Sequence, residues 1–442
     1  MGIPKFYSWI RKNYGNADFK KCPLKKVDWL CLDYNGLIYP VVHETLERYK
    51  ILPDDIEDII IKNIIIKTDE LVVSFKPKKT FIAIDGVCPR AKMVQQRYRR
   101  FMSSLEVKRW DTNAITPGTK FMTKLNIELH QVYGDKHLIS DSSEEGEGEH
   151  KIIKYISKLK GKNIIIMGLD ADLMILSLKN SAINKVVIFK EASNCSSFLD
   201  ISILRDLFIT DFGINSLNDI VLLFNLLGND FLPELKAVND NGSMRCDKIL
   251  NAYRKLKIKY PNFQIVDVKL NINVNALKEI FKYLLQLEKY QFPEEKHQKI
   301  YSEQEIYDIK DCMDEYYNGL SWIMNYYMKN EPCPSWSWFY KYRISPFMKD
   351  LIAYDIKIKP IKWYDDNAFE ANHQLMLVLP MKSINLIQNE YLQDLIKNDV
   401  SKYYPIVAVL DKEHSEMASW HQKPFLPNFE EEYIKDLVDM FQ

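Results

Sequence analysis

Seven acidic residues have positions from which carboxylates can gather around cations. Each ends an apolar run or lies near a glycine in a turn-prone segment. They are Asp33, Asp85, Glu147, Glu149, Asp170, Asp172 and Asp230. Short apolar runs bounded by polar residues are typical of buried strands, and ligands of open α/β sheets bind at the carboxyl ends of the strands. Because converging carboxylates need cations between them, the pattern predicts a pair of Mg²⁺ ions, for which Mn²⁺ can substitute.

Each acid also has a simpler explanation when it is taken alone. An aspartate at a strand end is more often a turn or helix-capping residue than a metal ligand. The run EEGEGE is typical of a solvated acidic loop. A structural role explains any one of these positions but not easily all seven, so their joint occurrence favours a metal centre.

A second candidate site is a basic helix that follows Asp85. The segment 86–105 contains no acidic residue, and its pattern predicts a helix that begins near Pro89. Four hydrogen-bond donors share one face of this helix: Lys92, Gln96, Arg99 and Arg100. The alternative is a solvated basic face. Since a terminal phosphate needs several charge-assisted donors, the helix beside a two-metal centre indicates an enzyme that holds one phosphate and cuts the neighbouring phosphodiester.

Alternating strand and helix patterns must position these residues. Candidate strands are 28–33, 80–85, 137–140, 163–168 and 185–189. Candidate helices are 54–75, 90–105, 119–131, 148–159, 171–179, 200–209 and 217–227. The alternation predicts an α/β fold with a mainly parallel central sheet flanked by helices.

The character of the sequence changes after a polar, turn-prone segment. We therefore predict a catalytic region at 1–237, a linker at 238–247 and a second region at 248–442. The second region looks helical over 274–329 and is crowded with aromatic residues over 332–347. Its last part, 360–442, is mixed, with the strand-like runs LMLVLP and YPIVAVL.

Composition excludes several protein classes. The 442 residues carry a formal net charge of zero, so any affinity for nucleic acid must come from a local patch. Seven cysteines without a CxxC pair argue against a disulfide framework and a zinc site. The sequence shows neither a membrane-spanning run nor the apolar block of a signal peptide, so we expect a cytoplasmic protein without membrane contact.

Several long motifs carry a family resemblance. They read DYNGLIYP, FIAIDGVCPRAKMVQQRYRRF, ITPGTKFM, SDSSEEGEGEHKI, GLDADLMIL and LLGNDFLP. In content and order they resemble the motifs of the Xrn-type 5′→3′ exoribonucleases. The resemblance continues through GLSWIMNYYMKNEPCPSWSWFYKYRISPF and HQLMLVLP. It implies a catalytic core like that of PIN and flap nucleases, with a mostly helical second region packed against it.

The resemblance also implies an activity and roles for the residues. The seven acids would be the catalytic Mg²⁺ ligands, and the four donors of the basic helix would hold a 5′-monophosphate. The enzyme would degrade decapped, single-stranded RNA to nucleoside 5′-monophosphates by two-metal hydrolysis, with a role in mRNA decay. Tyr39 stands where the family has a histidine, and we expect it to stack on the first base together with Trp336 or Trp338.

The remaining expectations concern context. The short stretch after Phe101 predicts a reduced helical tower, and the chain resembles a compact member without the C-terminal accessory domains. Its Lys-, Ile- and Asn-rich composition resembles that of proteins from large DNA viruses or protists. If the source is viral, we expect the protein in the cytoplasm of the host. A nuclear location is the open alternative. We expect a monomer that works with decapping factors. Two alternatives are a flap-type, structure-specific DNA nuclease and a non-catalytic protein that binds RNA 5′ ends.

Overall fold

The computed structural model describes residues 6–168, 170, 172–191, 196–238, 244–329, 333–356, 367–406 and 426–427. The chain divides into two compact units, and each is built from segments distant in sequence. The first unit comprises Met1–Lys26 and Ile153–Asp366, and the second comprises Val27–Ile152 and Asn367–Gln442. Each unit therefore draws on both of the regions predicted from the sequence. Residues 239–243 of the predicted linker lie outside the described part.

Strands and helices alternate through the first half of the described chain. The strands are β1 (Asp18–Phe19), β2 (Trp29–Asp33), β3 (Lys79–Ala83), β4 (Leu138–Ser140), β5 (Asn163–Met167), β6 (Lys185–Lys190) and β7 (Ser197–Asp200). The helices are α1 (Phe6–Asn13), α2 (Asn35–Glu47), α3 (Ile56–Phe75), α4 (Arg90–Ser104), α5 (Lys120–Tyr133), α6 (Gly148–Ile156), α7 (Asp172–Asn180), α8 (Ile201–Phe212), α9 (Leu217–Asn225), α10 (Met244–Lys259), α11 (Val274–Gln291), α12 (His297–Glu303), α13 (Ile309–Met328), α14 (Met348–Ala353), α15 (Ala371–Val378) and α16 (Glu390–Asn398).

The strands of the second unit are parallel. β2 pairs with β3, and β3 pairs with β4. Their inner residues are apolar and buried, as expected for strands covered on both faces. β2 ends at Asp33, and Asp85 lies two residues beyond the end of β3. The topology thus brings these two acids to the carboxyl ends of neighbouring strands, where α/β folds bind ligands.

The core of the second unit joins residues that are far apart in the sequence. Val87, Cys88 and Met93, around the start of α4, pack in one cluster with the buried apolar residues of α15 and α16. Burying these side chains against each other fixes the basic helix from one side. The C-terminal segment is therefore part of the support of α4.

The first unit has one parallel and two antiparallel pairings. β5 and β6 are parallel, β6 and β7 are antiparallel, and β7 pairs with β1 in the antiparallel direction. Asp170 and α7 follow β5 directly. A larger set of helices, α8 to α14, completes this unit.

The predicted α/β class with mainly parallel strands is confirmed, as are all five predicted strands and the seven predicted helices before residue 230. The prediction of a strand-like LMLVLP was wrong, because Leu375–Val378 belongs to α15. These residues are all buried, and a short apolar run does not by itself distinguish a strand from a buried helix. Of the run YPIVAVL, residues 407–410 lie outside the described part and 404–406 are not in a strand.

Two findings concern membranes and cysteines. In the part of the chain that the structure describes, no single helix is long and apolar enough to span a membrane. One pair, Ile201–Phe212 with Ile214–Asn225, passes that test together by length and composition but is bent by 107°. The six described cysteines are free.

Candidate functional site

The glycine-rich turn at the start of α6 gathers metal-ligand side chains in the second unit. One ligand atom each from Glu147, Glu149 and His150 lies within 4.8 Å of the others. Glu147 and Glu149 are buried, with exposed fractions of 5% and 8%. Two buried carboxylates and an imidazole this close together form a donor set that suits a divalent cation. His150 was not among the residues predicted from the sequence.

Asp33 and Asp85 lie beside the glycine between those two glutamates. The Gly148 N–H donates to Asp85 Oδ1 at 2.7 Å. A Cβ atom on Gly148 would lie 3.3 Å from both Asp33 Oδ1 and Asp85 Oδ1, and 2.7 Å from the Ala83 carbonyl oxygen. Only a glycine allows this approach, so the GEGE sequence brings the turn against the strand ends. The four predicted acids of this unit are therefore neighbours.

Asn35 explains part of the DYNG motif. Its side-chain oxygen accepts a hydrogen bond from the Asp85 N–H at 3.0 Å. This contact ties the start of α2 to the segment that follows β3. The motif therefore holds the backbone that carries Asp85, a role in addition to supplying Asp33.

Buried cations accompany the acids of the second unit. Lys92 Nζ lies 2.6 Å from Glu147 Oε2, and both side chains are largely buried. Lys151 Nζ donates to the carbonyl oxygens of Ile84 and Asp141, each at 2.8 Å. Burial and the charge of Glu147 raise the pKa of Asp85, while Lys92 and Lys151 oppose that shift. Burial lowers the pKa of His150 to about 4, so its imidazole is neutral near pH 7 and can act as a ligand.

The first unit holds Asp170 and Asp172. The Asp172 N–H donates to Asp170 Oδ1 at 3.3 Å, within the first turn of α7. Asp172 is 1% exposed, and its Oδ2 accepts a hydrogen bond from the Tyr327 hydroxyl at 2.8 Å. Tyr327 orients this carboxylate from α13. Tyr327 was not among the residues predicted from the sequence, because the motif GLSWIMNYYM does not reveal which of its two tyrosines points to an acid.

Asp230 lies in a turn of the first unit that Asn229 closes. Asn229 Oδ1 accepts hydrogen bonds from the N–H groups of Phe231 and Leu232 at 2.8 and 2.9 Å. Phe231 packs edge-on against the ring of Trp322 in α13, with 5.1 Å between ring centroids. The turn and its aromatic neighbour fix the position of Asp230. That all seven acids form one centre stays a prediction.

The basic helix α4 presents its predicted donors in different settings. Lys92 is buried against Glu147, Gln96 accepts a hydrogen bond from Gln374 Nε2 at 3.3 Å, and Arg100 donates to Thr116 Oγ1. Arg99 is exposed. A phosphate pocket at these four residues stays a prediction. The supporting contact of Gln374 was not foreseen.

Arg97, on the same helix, has a structural role. It donates to the carbonyl oxygens of Tyr403 and Pro427 at 2.5 and 2.7 Å. Burial lowers its pKa to about 10. Its guanidinium therefore joins α4 to the segments that carry Tyr403 and Pro427.

The aromatic candidates differ in how much ring they leave accessible. Trp336 is buried, with 6% exposed, whereas Trp338 and Tyr39 are partly exposed. Trp338 Nε1 donates to Glu315 Oε2 at 3.3 Å, and a Cβ on Gly319 would lie 3.0 Å from the Trp338 ring. Trp338 is thus fixed at its edge and along one side. Of the two tryptophans, it is the better candidate for stacking on a base, and that role stays a prediction.

Comparisons with known proteins place these features in a family. The profile described as "XRN 5'-3' exonuclease N-terminus" matches residues 1–109 and 103–192, and that of the "Xrn1 helical domain" matches residues 289–441. The chain is 26% identical to the human 5'-3' exoribonuclease 1, over 99% of this chain and 34% of the human protein. It is 31% identical to the 5'-3' exoribonuclease 1 of Saccharomyces cerevisiae, over 54% of this chain and 20% of the yeast protein.

The chain spans about a third of the length of the human relative, with 34% covered. Among solved structures, a bacteriophage T5 flap endonuclease in complex with DNA and metal ions is similar at 13% identity and a TM-score of 0.33, over 60% of this chain and 90% of that one. So low a score describes only a partial likeness. The two family profiles, on 1–192 and 289–441, show that the chain belongs to the Xrn 5′→3′ exonuclease family.

Proposed function

We propose that this protein is a Mg²⁺-dependent 5′→3′ exoribonuclease that acts on single-stranded RNA with a 5′-monophosphate and releases nucleoside 5′-monophosphates. One observation carries the proposal. Lys92, on the helix predicted to hold the phosphate, contacts the metal-ligand side chain Glu147 at 2.6 Å. A phosphate bound on this helix would therefore lie beside the acids, so that the cut would fall next to the bound end.

The acids would hold two divalent ions. When bound, such ions supply a hydroxide near neutral pH and stabilise the departing oxygen. In the second unit, four of these acids lie around the Gly148 turn: Glu147, Glu149, Asp33 and Asp85. In the first unit, Tyr327 holds Asp172 in one orientation. A general base from the protein is then not needed. This agrees with Tyr39, which stands where the family has a histidine.

The helix α4 would select the 5′ end. Lys92, Gln96, Arg99 and Arg100 offer an ammonium, an amide and two guanidiniums, which match the acceptor oxygens of a monophosphate. A 5′-hydroxyl offers these donors neither the negative charge nor the terminal oxygens of a phosphate, so it would bind with a less favourable free energy. Each cut would create a new 5′-phosphate for the same pocket, and this repetition would give the 5′→3′ direction.

The wider setting belongs to the same proposal. Tyr39 and Trp338 would each offer a ring to the leading bases, which stack on aromatic faces whatever their sequence. Decapping is the class of reaction that would supply RNA with a 5′-monophosphate. We propose that the protein acts as a monomer in the cytoplasm, in mRNA decay.

The decisive experiment is a time course on one RNA carrying a 5′-monophosphate, a 5′-triphosphate or a 5′-hydroxyl. We expect mononucleotides from the monophosphate RNA, with Mg²⁺ required. Internal fragments would favour a flap-type nuclease. Cleavage of a branched DNA, offered as a separate substrate, would favour the same alternative. Tight binding of the monophosphate RNA without products would favour a non-catalytic 5′-end-binding protein. Equal rates on all three RNAs would refute the selection of the 5′ end.

A further inference from the structure

Gln374 connects the backbone before α4 to a side chain on α4. It lies in the first turn of α15 and is completely buried. Its Oε1 accepts a hydrogen bond from the Cys88 N–H at 3.0 Å. Its Nε2 donates to Gln96 Oε1 at 3.3 Å. Two residues separated by 278 positions in the sequence are thereby joined inside one unit.

The Cys88 contact fixes which way both amides point. A backbone N–H is always a donor, so the atom of Gln374 that faces it must be the oxygen. The NH₂ group of Gln374 then faces Gln96, and that group can only donate. The oxygen of Gln96 must therefore face Gln374, which leaves the two N–H donors of Gln96 directed elsewhere.

We propose that Gln374 is a positioning residue that sets the Gln96 amide so that its NH₂ group, and not its oxygen, is offered to the 5′-phosphate. This inference rests on the proposed function. An anion needs donors, and a carbonyl oxygen turned towards it would repel it. The C-terminal segment would in this way contribute to the selection of the RNA end without touching the RNA.

The surroundings hold Gln374 in one place. Gly118, in the ITPG motif, has φ +89°, and a Cβ there would lie 2.8 Å from Cβ of Ala371 in the same helical turn as Gln374. A glycine is therefore required for α15 to approach this closely. The Met376 carbonyl oxygen accepts a hydrogen bond from the Tyr404 hydroxyl at 2.6 Å. With α15 fixed from both sides, the Gln374 amide is pre-organised before any ligand arrives.

The substitution Gln374→Glu tests the orientation directly. A carboxylate still accepts from the Cys88 N–H but cannot donate to Gln96, so the Gln96 amide would reverse and donate to it. We would measure the dissociation constants of RNA oligonucleotides with a 5′-phosphate and with a 5′-hydroxyl, in an Asp172→Asn background with Mg²⁺. The preference for the phosphate is expected to fall by about tenfold or more, the loss of one charge-assisted hydrogen bond.

Two comparisons separate orientation from added charge. In a Gln96→Ala background, Gln374→Glu should leave the phosphate preference unchanged, since no amide remains to reverse. An equal loss in that background would assign the effect to charge and overturn the inference. Gln393→Glu is the charge control, because this substitution also adds one negative charge to the same unit. Gln393 is partly buried, and its Nε2 donates to the carbonyl oxygen of the core residue Ile387 at 2.8 Å. The phosphate preference of this variant should equal that of the parent.

An uncharged variant keeps the test possible if Gln374→Glu does not fold. Gln374→Met keeps the length of the side chain and removes both hydrogen bonds, and its phosphate preference should fall towards the value of Gln96→Ala. If both Gln374 variants fold and keep the parent's preference for the 5′-phosphate, the role of Gln374 is overturned but the proposed function is not. A parent protein with no preference for the 5′-phosphate would instead refute the proposed function, so the two failures are distinguishable.

Discussion

Glu147 in the second unit and Asp172 in the first are both buried predicted metal ligands, but they are held by different chemistry. Glu147 is paired with the ammonium of Lys92 at 2.6 Å. Asp172 accepts a hydrogen bond from the neutral hydroxyl of Tyr327 at 2.8 Å. A cation offsets the charge of a buried carboxylate, whereas a hydroxyl orients it and leaves its charge in place.

This difference suggests a division of labour. Because the Tyr327 hydroxyl carries no charge, it orients Asp172 for a cation without competing with that cation for the carboxylate. Glu147 must share its charge between Lys92 and any metal. Because Lys92 also belongs to the predicted phosphate pocket, binding of metal at Glu147 would release the ammonium for the phosphate.

The largest expected effect is the loss of activity when Asp172, a predicted metal ligand, is substituted. Asp172→Asn should lower Mg²⁺-dependent degradation of 5′-monophosphate RNA by about 10³-fold or more, because it removes several kcal/mol of metal-ion stabilisation. The asparagine oxygen can still accept from Tyr327, so the thermal melting temperature should change little. Initial rates measure the first effect and thermal melting the second.

Asp206→Asn provides the control for that measurement. Asp206 is an exposed aspartate of the same unit, and its carboxylate pairs with Arg205 at 2.6 Å. Its activity should match that of the parent. Retained activity in Asp172→Asn would remove this residue from the metal centre and weaken the contrast with Glu147.

The next largest effects are on the free energy of unfolding of the metal-free protein, when Lys92 or Tyr327 is substituted. Lys92→Met leaves Glu147 buried beside an apolar chain and should lower the free energy of unfolding by about 3–5 kcal/mol. Tyr327→Phe removes one hydrogen bond to a charged group and should cost about 1.5–3 kcal/mol. Chemical denaturation in a chelator measures both.

Adding Mg²⁺ sharpens this pair of variants. Metal should recover more stability in Lys92→Met than in Tyr327→Phe, because a cation near Glu147 replaces the missing ammonium. The same recovery in both variants would show that the ion pair and the tyrosine contact are equivalent, contrary to the division of labour.

A smaller effect concerns a second buried acid of the first unit. Glu288 is fully buried and accepts hydrogen bonds from the Met348 N–H at 2.8 and 3.0 Å. Burial raises the pKa of Glu288 from 4.5 to about 7. The folded state therefore binds this proton more tightly than the unfolded state does. Stability from this group is complete below about pH 4.5 and is lost as the pH rises through 7, by about 3 kcal/mol.

Glu288→Gln should remove that slope, because an amide stays neutral across the range. Urea denaturation between pH 4.5 and 8 measures it. Glu294→Gln serves as the control, since two lysines hold the pKa of Glu294 at about 2, below this window. If Glu288→Gln keeps the full slope, another group titrates in its place.

The predictable part of the site consists of residues with a local signature. Asp33 and Asp85 follow buried apolar runs, and the glycines beside Glu147 and Glu149 indicate a turn. Strand ends and turns were therefore enough to predict these four acids as candidate site residues. Strand β1 escaped prediction because it is two residues long, and β7 has only a short apolar core, SFLD. Two or three residues do not establish a period of two.

Gln374 and Tyr327 could not be predicted from local patterns. Gln374 meets Gln96 across 278 positions, and Tyr327 meets Asp172 across 155. Both lie on helices whose other faces are buried, so their apolar neighbours dominate the pattern. Polar contacts of this kind depend on the packing of distant segments, which a single sequence does not encode as a repeat.

The smallest effects belong to the aromatic residues, one in each unit. Trp338→Ala should weaken binding of single-stranded RNA by about 1–3 kcal/mol, the usual contribution of one stacked base, whereas Tyr39→Phe should leave binding unchanged because it keeps the ring. Fluorescence anisotropy with a 5′-phosphate oligonucleotide in the Asp172→Asn background measures both. Tyr39→Ala is the necessary companion, since it removes the ring.

Tyr39 also tests whether its hydroxyl has a task. Burial lowers the pKa of Arg100, and the nearby Tyr39 opposes that shift, so the two side chains lie close together. If the hydroxyl served Arg100, Tyr39→Phe would lower the preference for the 5′-phosphate and spare the affinity for the 5′-hydroxyl RNA. Equal values for the parent and for Tyr39→Phe, with a loss only in Tyr39→Ala, would leave stacking as the sole contribution of this residue.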